Sequence, residues 1–266
     1  DVAKDAAEIM TEMRKAGQED RTFRSDEEAH RRGHFFNLAT GISFGGGQQE
    51  PGNLVLHKKQ ATADALVADA SIRRIAGFQS GCFSFYFPKI YHHYWTHLGP
   101  LYGRIPTLRA NFPNVSIFPA CTFNLGPTTA THDHRDSANV ASGICAITAL
   151  GNFDPTLGGH LILFDLKLVI EFPPGSTVLI PSALFKHGNT PIVGEGVSRM
   201  SFTQYCAGGL FRWVRYGFQT VKAVKEACAT ESEFKEIQAK IDGKLKDRTA
   251  EALGLFSTIN SLVHDH

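Results

Sequence analysis

Long apolar runs are missing from this chain, and so is any closely spaced cysteine pair. No stretch approaches the roughly 20 apolar residues that cross a bilayer, and no basic, apolar, then small-residue signal opens the sequence, so no membrane partner is expected. The five cysteines (Cys82, Cys121, Cys145, Cys206 and Cys228) are odd in number, far apart, and contain no CxxC. That pattern argues against a structural zinc site or a disulfide framework and points to a reducing, intracellular compartment. Charge of one sign is lacking too, the formal net charge being +1. What matters for a polyanionic partner is clustering rather than the total. Lys and Arg gather outside the middle of the chain, at Arg21, Arg24, Arg31, Arg32, Lys58, Lys59, Arg73 and Arg74 and again at Arg212, Arg215, Lys222 and Lys225. Such a distribution permits a basic rim around a less basic core. No glycine run is followed by Gly-Lys-Ser/Thr, which excludes a P-loop.

What the chain does have is enough apolar material for one core: 266 residues, 42% of them hydrophobic. A single domain over 1–266 is expected, mainly helical over 1–110, β-rich over 111–218 and helical again over 219–266. From Val2 to about Lys15, Ile9, Met10 and Met13 recur among charges, which predicts an amphipathic helix ended by Gly17. Gln18 to Arg32 is polar and basic and runs into Gly33-His34-Phe35-Phe36-Asn37-Leu38; a solvated loop and a phosphate-holding segment both fit it. Gly41 to Asn53 is the densest glycine run, with Gly45, Gly46 and Gly47 consecutive and Gln48 and Gln49 next. Such a loop can approach a duplex closely, the glutamines reading a base edge or filling the space of an extruded base; a plain surface turn fits equally. Leu54 to Ile75 predicts one helix closed by Gly77. Phe85, Tyr86, Phe87, Tyr91, Tyr94 and Trp95 recur at helical intervals around Pro88, the pattern of a helix buried on a sheet. His92, His93 and His97 on that helix read as surface or packing residues.

After Pro113 the texture changes. Val115 to Phe118, Cys121 to Leu125, Ile144 to Leu150, His160 to Phe164, Leu168 to Phe172, Thr177 to Ile180 and Met200 to Cys206 are short runs rich in Val, Ile, Phe and Thr, separated by turn residues. Many short strands at regular spacing predict an α+β fold with a double-stranded β-helix (jelly roll) core and helices packed on one sheet. At the end, Thr230-Glu231-Ser232-Glu233 predicts a capped helix through Phe234, Ile237 and Ile241.

Within the β-rich part lies Thr131-His132-Asp133-His134-Arg135-Asp136-Ser137. On a strand, His134 and Asp136 point to one face, and His187 downstream can complete two imidazoles and a carboxylate around one ion. That set, with the remaining positions open, is the arrangement of non-haem Fe(II) oxygenases. Gly188 lets the chain turn close behind His187. Arg199, in Ser198-Arg199-Met200-Ser201, carries a planar fork suited to the far carboxylate of 2-oxoglutarate, with Ser201 on the same face. Fe(II), 2-oxoglutarate and the co-substrate O2 follow as the expected cofactors. His-Arg-Asp also matches the start of a kinase catalytic loop, but that loop needs Asn at position 141, which is Ala141, and an Asp-Phe-Gly that is absent. His132 and Asp133 read as flanking polar residues.

Taken together, Gly41 to Gln48, Phe118 to Asn124, His134-Arg135-Asp136, Gly158-Gly159-His160-Leu161, Pro173 to Ser176, His187-Gly188-Asn189 and Arg199-x-Ser201 resemble the TET/JBP-like dioxygenases, and among them the branch expanded with transposons in mushroom-forming fungi. The resemblance spans about Gly33 to Cys206. It implies a nuclear monomer that oxidises 5-methylcytosine in DNA to hydroxymethyl, formyl and carboxyl forms, with N6-methyladenine as a further substrate. It also implies His134, Asp136 and His187 as iron ligands, and Arg199 and Ser201, joined by Asn124, at the co-substrate. The Cys-rich module of the animal enzymes has no counterpart here, which leaves docking of methylated duplex DNA to residues 1–110 and the glycine loop. A methyl group inside a duplex cannot reach an iron in a barrel, so the base must be flipped out. Candidate clamp residues are Asn124, His160, Phe164 and Tyr205. Two other readings stay open: a prolyl-hydroxylase-like dioxygenase acting on a protein side chain, and a barrel that binds a ligand without turnover.

Overall fold

The computed structural model describes the backbone of residues 1–266 and every side chain except that of Leu245. The chain opens with α1 (Val2–Glu19), followed by a small hairpin, β1 (Ala29–His30) and β2 (Gly33–His34), then β3 (Phe36–Ser43) and the short β4 (Gly52–Asn53). Helices α2 (Gln60–Ala68), α3 (Ala70–Tyr86) and α4 (Pro88–Arg104) come next. The β-rich part supplies β5 (Ala120–Gly126), β6 (Cys145–Asn152), β7 (Leu161–Leu163), β8 (Leu168–Ile170), β9 (Thr177–Ile180), β10 (His187–Asn189) and β11 (Ser198–Tyr205). Helices α5 (Gly208–Arg215), α6 (Val221–Glu226), α7 (Glu231–Asp242) and α8 (Leu245–Gly254) end it.

Two antiparallel sheets form the jelly roll. The major sheet has the order β4-β3-β5-β11-β6-β9 and the minor sheet β10-β7-β8. Because side chains alternate across a strand, the major sheet has two distinct faces. Phe36, Leu38, Cys121, Phe123, Leu125, Leu150, Met200 and Phe202 pack with Ala6, Met10, Leu66, Ile72 and Ile75 of α1 to α3. The opposite face, with Ala149, joins Leu161 and Leu163 of the minor sheet, Phe153 and Phe172 to fill the barrel. The expected placement of helices on one sheet is therefore what the chain does.

A buried amide pair fixes the helical layer against the sheet. Gln204 donates to the Gln79 side-chain oxygen (2.8 Å) and to the Ala76 carbonyl (3.1 Å), while Gln79 donates to Thr148 (2.8 Å). Both glutamines are fully buried, so each unmet polar atom there would cost about 1–3 kcal/mol.

Several local expectations change. Residues 36–43, read as an extension of a loop, form β3, hydrogen-bonded to β5 at the heart of the major sheet. The sheet thus recruits a strand from the first 110 residues. Val115 to Phe118 is not a strand, since Phe112 accepts from Val115 and Ser116, and Ile117 donates to the Ser80 hydroxyl rather than to a neighbouring strand. The helix read over Leu54 to Ile75 is two helices. Asp69 breaks it with an extended backbone and caps α3 by accepting from the Ser71 and Ile72 amides. Gly77 lies inside α3, and Gly17 lies inside α1, where a Cβ would meet the Phe23 ring at 2.3 Å. The aromatic stripe is only partly buried: Phe83 and Tyr94 are core, but Phe85, Tyr86 and Trp95 are more than half exposed. The cap at Thr230 forms, its hydroxyl accepting from the Glu233 amide.

Candidate metal centre and co-substrate pocket

His134 and Asp136 do not lie on a regular strand. They belong to the segment after β5, which crosses the barrel as an irregular chain held at intervals. Thr128 bridges Arg199, His134 bridges His187, and Asn139 bridges Ala207. Strand-like alternation nevertheless survives locally: His134 and Asp136 turn toward His187, while Arg135 points away, donating to the Leu184 carbonyl (2.8 Å) and to Asp165 (2.7 Å). Asp133 pairs with Lys186 on the outside. Gly188 permits the close crossing, since a Cβ there would stand 2.9 Å from the Thr131 carbonyl.

The three ligand groups converge. His134 Nε2 lies 3.7 Å from Asp136 Oδ1, and His187 Nε2 lies 3.9 Å from Asp136 Oδ2. One donor atom from each of the three residues falls within 4.8 Å of the others. Each imidazole Nδ1 donates to a main-chain carbonyl, His134 to His132 (2.7 Å) and His187 to Phe185 (2.9 Å). Those bonds fix the tautomer, so both Nε2 lone pairs point inward. Burial holds the His134 imidazole below its usual value, favouring the neutral form that binds a metal. This donor set fits Fe(II).

Deeper in the barrel, Arg199 is 1% exposed. The loop after β5 clasps its backbone, Arg199 N donating to Pro127 O and Thr129 N to Arg199 O. Its guanidinium donates from Nη1 to the Thr129 carbonyl (2.8 Å) and lies over the Phe153 ring. Among the described residues Nε has no partner, and neither does the buried Thr129 hydroxyl. Desolvation lowers the Arg199 pKa to about 10, so the group stays cationic at neutral pH without a counter-charge. A buried cation with unmet donors is costly unless an anion joins it. Beside it on β11, Ser201 accepts from the Asn124 amide (2.8 Å), which leaves the hydroxyl proton free to donate. These residues fit a carboxylate, the end group of 2-oxoglutarate.

The remaining expected residues separate into four places. Tyr205 faces the barrel interior, sharing a hydrogen bond with Thr122 (3.1 Å), and burial pushes its hydroxyl up to about 12. His160 follows Gly159, which abuts Phe153 and Arg199, and its Nδ1 contacts the Thr190 hydroxyl (3.0 Å). Phe164 is not a barrel residue: it is 41% exposed and starts a turn under Lys186. Gly45, Gly46, Gly47, Gln48 and Gln49 form an exposed tip with all three glycines at positive φ, closed by Gln48, which accepts from the Gly45 amide. The tip follows Phe44, whose ring meets Trp213 of α5 edge-on.

Sequence reading missed Arg32 and Thr129. Arg32 Nη2 reaches Asp136 Oδ1 at 2.5 Å from more than 100 positions away. Its one visible signal was an Arg-Gly step in a basic segment, which specifies no partner.

No family model and no curated protein matches the chain. Among solved structures, NgTET1 in complex with 5mC DNA matches with a TM-score of 0.55 at 16% sequence identity, over 77% of this chain and 69% of that one. The two chains share a fold. At such low identity the likeness to NgTET1 carries the architecture; the chemistry has to come from the side chains described above.

Proposed function

We propose that this chain is an Fe(II)/2-oxoglutarate-dependent dioxygenase that oxidises methylated bases in DNA, 5-methylcytosine first and N6-methyladenine as a further substrate. The observation that carries the enzymatic reading is the pairing of a three-point metal face with a buried, unmatched guanidinium on β11, a strand bridged at Arg199 by the same segment that carries His134 and Asp136. His134, Asp136 and His187 hold the ion, and Arg199, with the free proton of Ser201, anchors the far carboxylate of the keto acid. Asn124 keeps the Ser201 hydroxyl turned for that role. Bound there, iron and keto acid supply O2 activation coupled to oxidative decarboxylation, so that 2-oxoglutarate, O2 and a methyl group give succinate, CO2 and a hydroxymethyl group. Ala149, Phe153, Leu161 and Leu163 line the barrel with apolar surface and keep water from it.

DNA as the substrate rests on the fold shared with a protein solved on 5mC DNA and on the motif resemblance. The base must leave the duplex to reach the barrel, with the neutral hydroxyl of Tyr205 available to its edge. Contact with the duplex is assigned to the exposed tip from Gly45 to Gln49. A nuclear monomer of the fungal branch completes the reading, by resemblance alone.

Anaerobic loading with Fe(II), 2-oxoglutarate and methylated oligonucleotides, followed by air and nucleoside mass spectrometry, tests it. Hydroxymethyl, formyl and carboxyl cytosine are expected. Succinate without any altered nucleoside would instead point to a protein side chain as substrate. DNA affinity should fall log-linearly with salt; a flat response sinks the phosphate contacts.

A further inference from the structure

We propose that Arg32 is a positioning residue of the metal centre, holding one oxygen of Asp136 so that the carboxylate offers only the other to the ion. The inference rests on the metal reading above. Arg32 Nη2 binds Oδ1 at 2.5 Å, leaving Oδ2 without that contact and on the His187 side. An Fe(II) centre of this type needs two positions for the keto acid and one for O2. Two imidazoles and a one-oxygen carboxylate leave three open in an octahedron, whereas a two-oxygen carboxylate leaves only two. A guanidinium fixed on Oδ1 enforces the first arrangement.

The hairpin is built to hold the guanidinium there. The Arg32 carbonyl accepts from the His132 amide (2.8 Å), which ties the β1–β2 turn to the ligand segment two residues before His134. Next to it, Gly33 presses on that same segment, where a Cβ would stand 2.5 Å from the Ala130 carbonyl. His30 Nδ1 accepts from the Arg32 amide (3.2 Å), and its ring meets Phe35 edge-on, so the turn is braced from inside. Arg32 therefore touches the His-x-Asp segment through its main chain on one side and its side chain on the other. Outer-shell partners of this kind typically change metal affinity 10- to 100-fold.

The test is titration with Co(II), an air-stable stand-in for the metal, first without and then with 2-oxoglutarate, for the wild-type protein and Arg32→Gln, Arg32→Lys and Arg31→Gln. Arg32→Gln should weaken Co(II) binding about 10- to 100-fold before any keto acid is added and alter the Co(II) absorption spectrum as coordination changes. Arg32→Lys should recover part of the affinity, and Arg31→Gln, exposed beside it, should behave as wild type. Co(II) binding by Arg32→Gln equal to wild type overturns the inference, as does a defect seen only in the keto-acid step. If Arg32→Gln does not fold by circular dichroism, the Lys variant decides: metal affinity below wild type with a changed spectrum supports the role, and wild-type affinity or an unchanged spectrum overturns it. A wild-type protein that binds no Co(II) sinks the metal centre itself, which is a different result from equal binding by all variants.

Discussion

His134 and His187 exchange both of their backbone hydrogen bonds, each N–H donating to the other's carbonyl at 2.9 Å. Their rings lie 4.4 Å apart as a consequence. The main chain, not the metal, sets the spacing of two of the three candidate ligands, so the face is preorganised before any ion arrives.

Replacing His187 with Ala removes a ligand but leaves that main-chain pair intact. Co(II) binding and turnover should both be lost, while the melting temperature moves by only a few degrees. Titration beside thermal unfolding checks this, and wild-type metal affinity in the variant would remove His187 from the centre.

Arg199→Met is expected to trade function for stability. The drop in the Arg199 pKa from 12.5 to about 10 corresponds to about 3 kcal/mol of burial cost, at about 1.4 kcal/mol per unit. For a base whose folded pKa lies below its unfolded one, that cost is fully present below pH 10 and is relieved as pH rises toward 12.5. At neutral pH the Met variant should therefore melt higher than the wild type in the absence of keto acid. It should also lose the stabilisation that 2-oxoglutarate gives the wild type. A lower melting temperature would mean that the cation is not isolated.

Gln204→Leu should destabilise the fold by about 2–4 kcal/mol, because it strips partners from Gln79 and Ser116 in a dry interface. Metal affinity should not change, the network lying on the helical side of the sheet. Gln79→Leu combined with Gln204→Leu should cost less than the two single changes added. Denaturant melts of the three variants measure this.

A pH effect should come from α4. Burial, then the neighbouring charges of His97, Arg215 and His92, lowers the His93 pKa to about 4. The unfolded chain then binds the extra proton between about pH 6.5 and 4, so stability should fall as pH drops through that window. The loss should be on the order of 1 kcal/mol, since the ring keeps some contact with water. His93→Gln should flatten the melting curve against pH there; an unchanged slope would assign the effect elsewhere.

The sequence by itself determined most of what depends on local chemistry. The apolar alternation of residues 121–125, the apolar run of residues 178–180, the cap at Thr230 and the order His-x-Asp, His, Arg-x-Ser are properties of side chains and their near neighbours, and each was legible. Phe36, Leu38, Thr40 and Ile42 also alternate, yet the glycines and polar residues around them hid β3, because pairing with β5 rather than intrinsic preference makes that segment a strand. Only the tertiary structure decided that His134 and Asp136 lie on an irregular chain bridged to His187, that Arg199 has no counter-charge, and that Arg32 reaches Asp136. Those three facts depend on contacts between residues dozens of positions apart or more, and on which polar atoms the fold shuts away from water; periodicity carries no record of either.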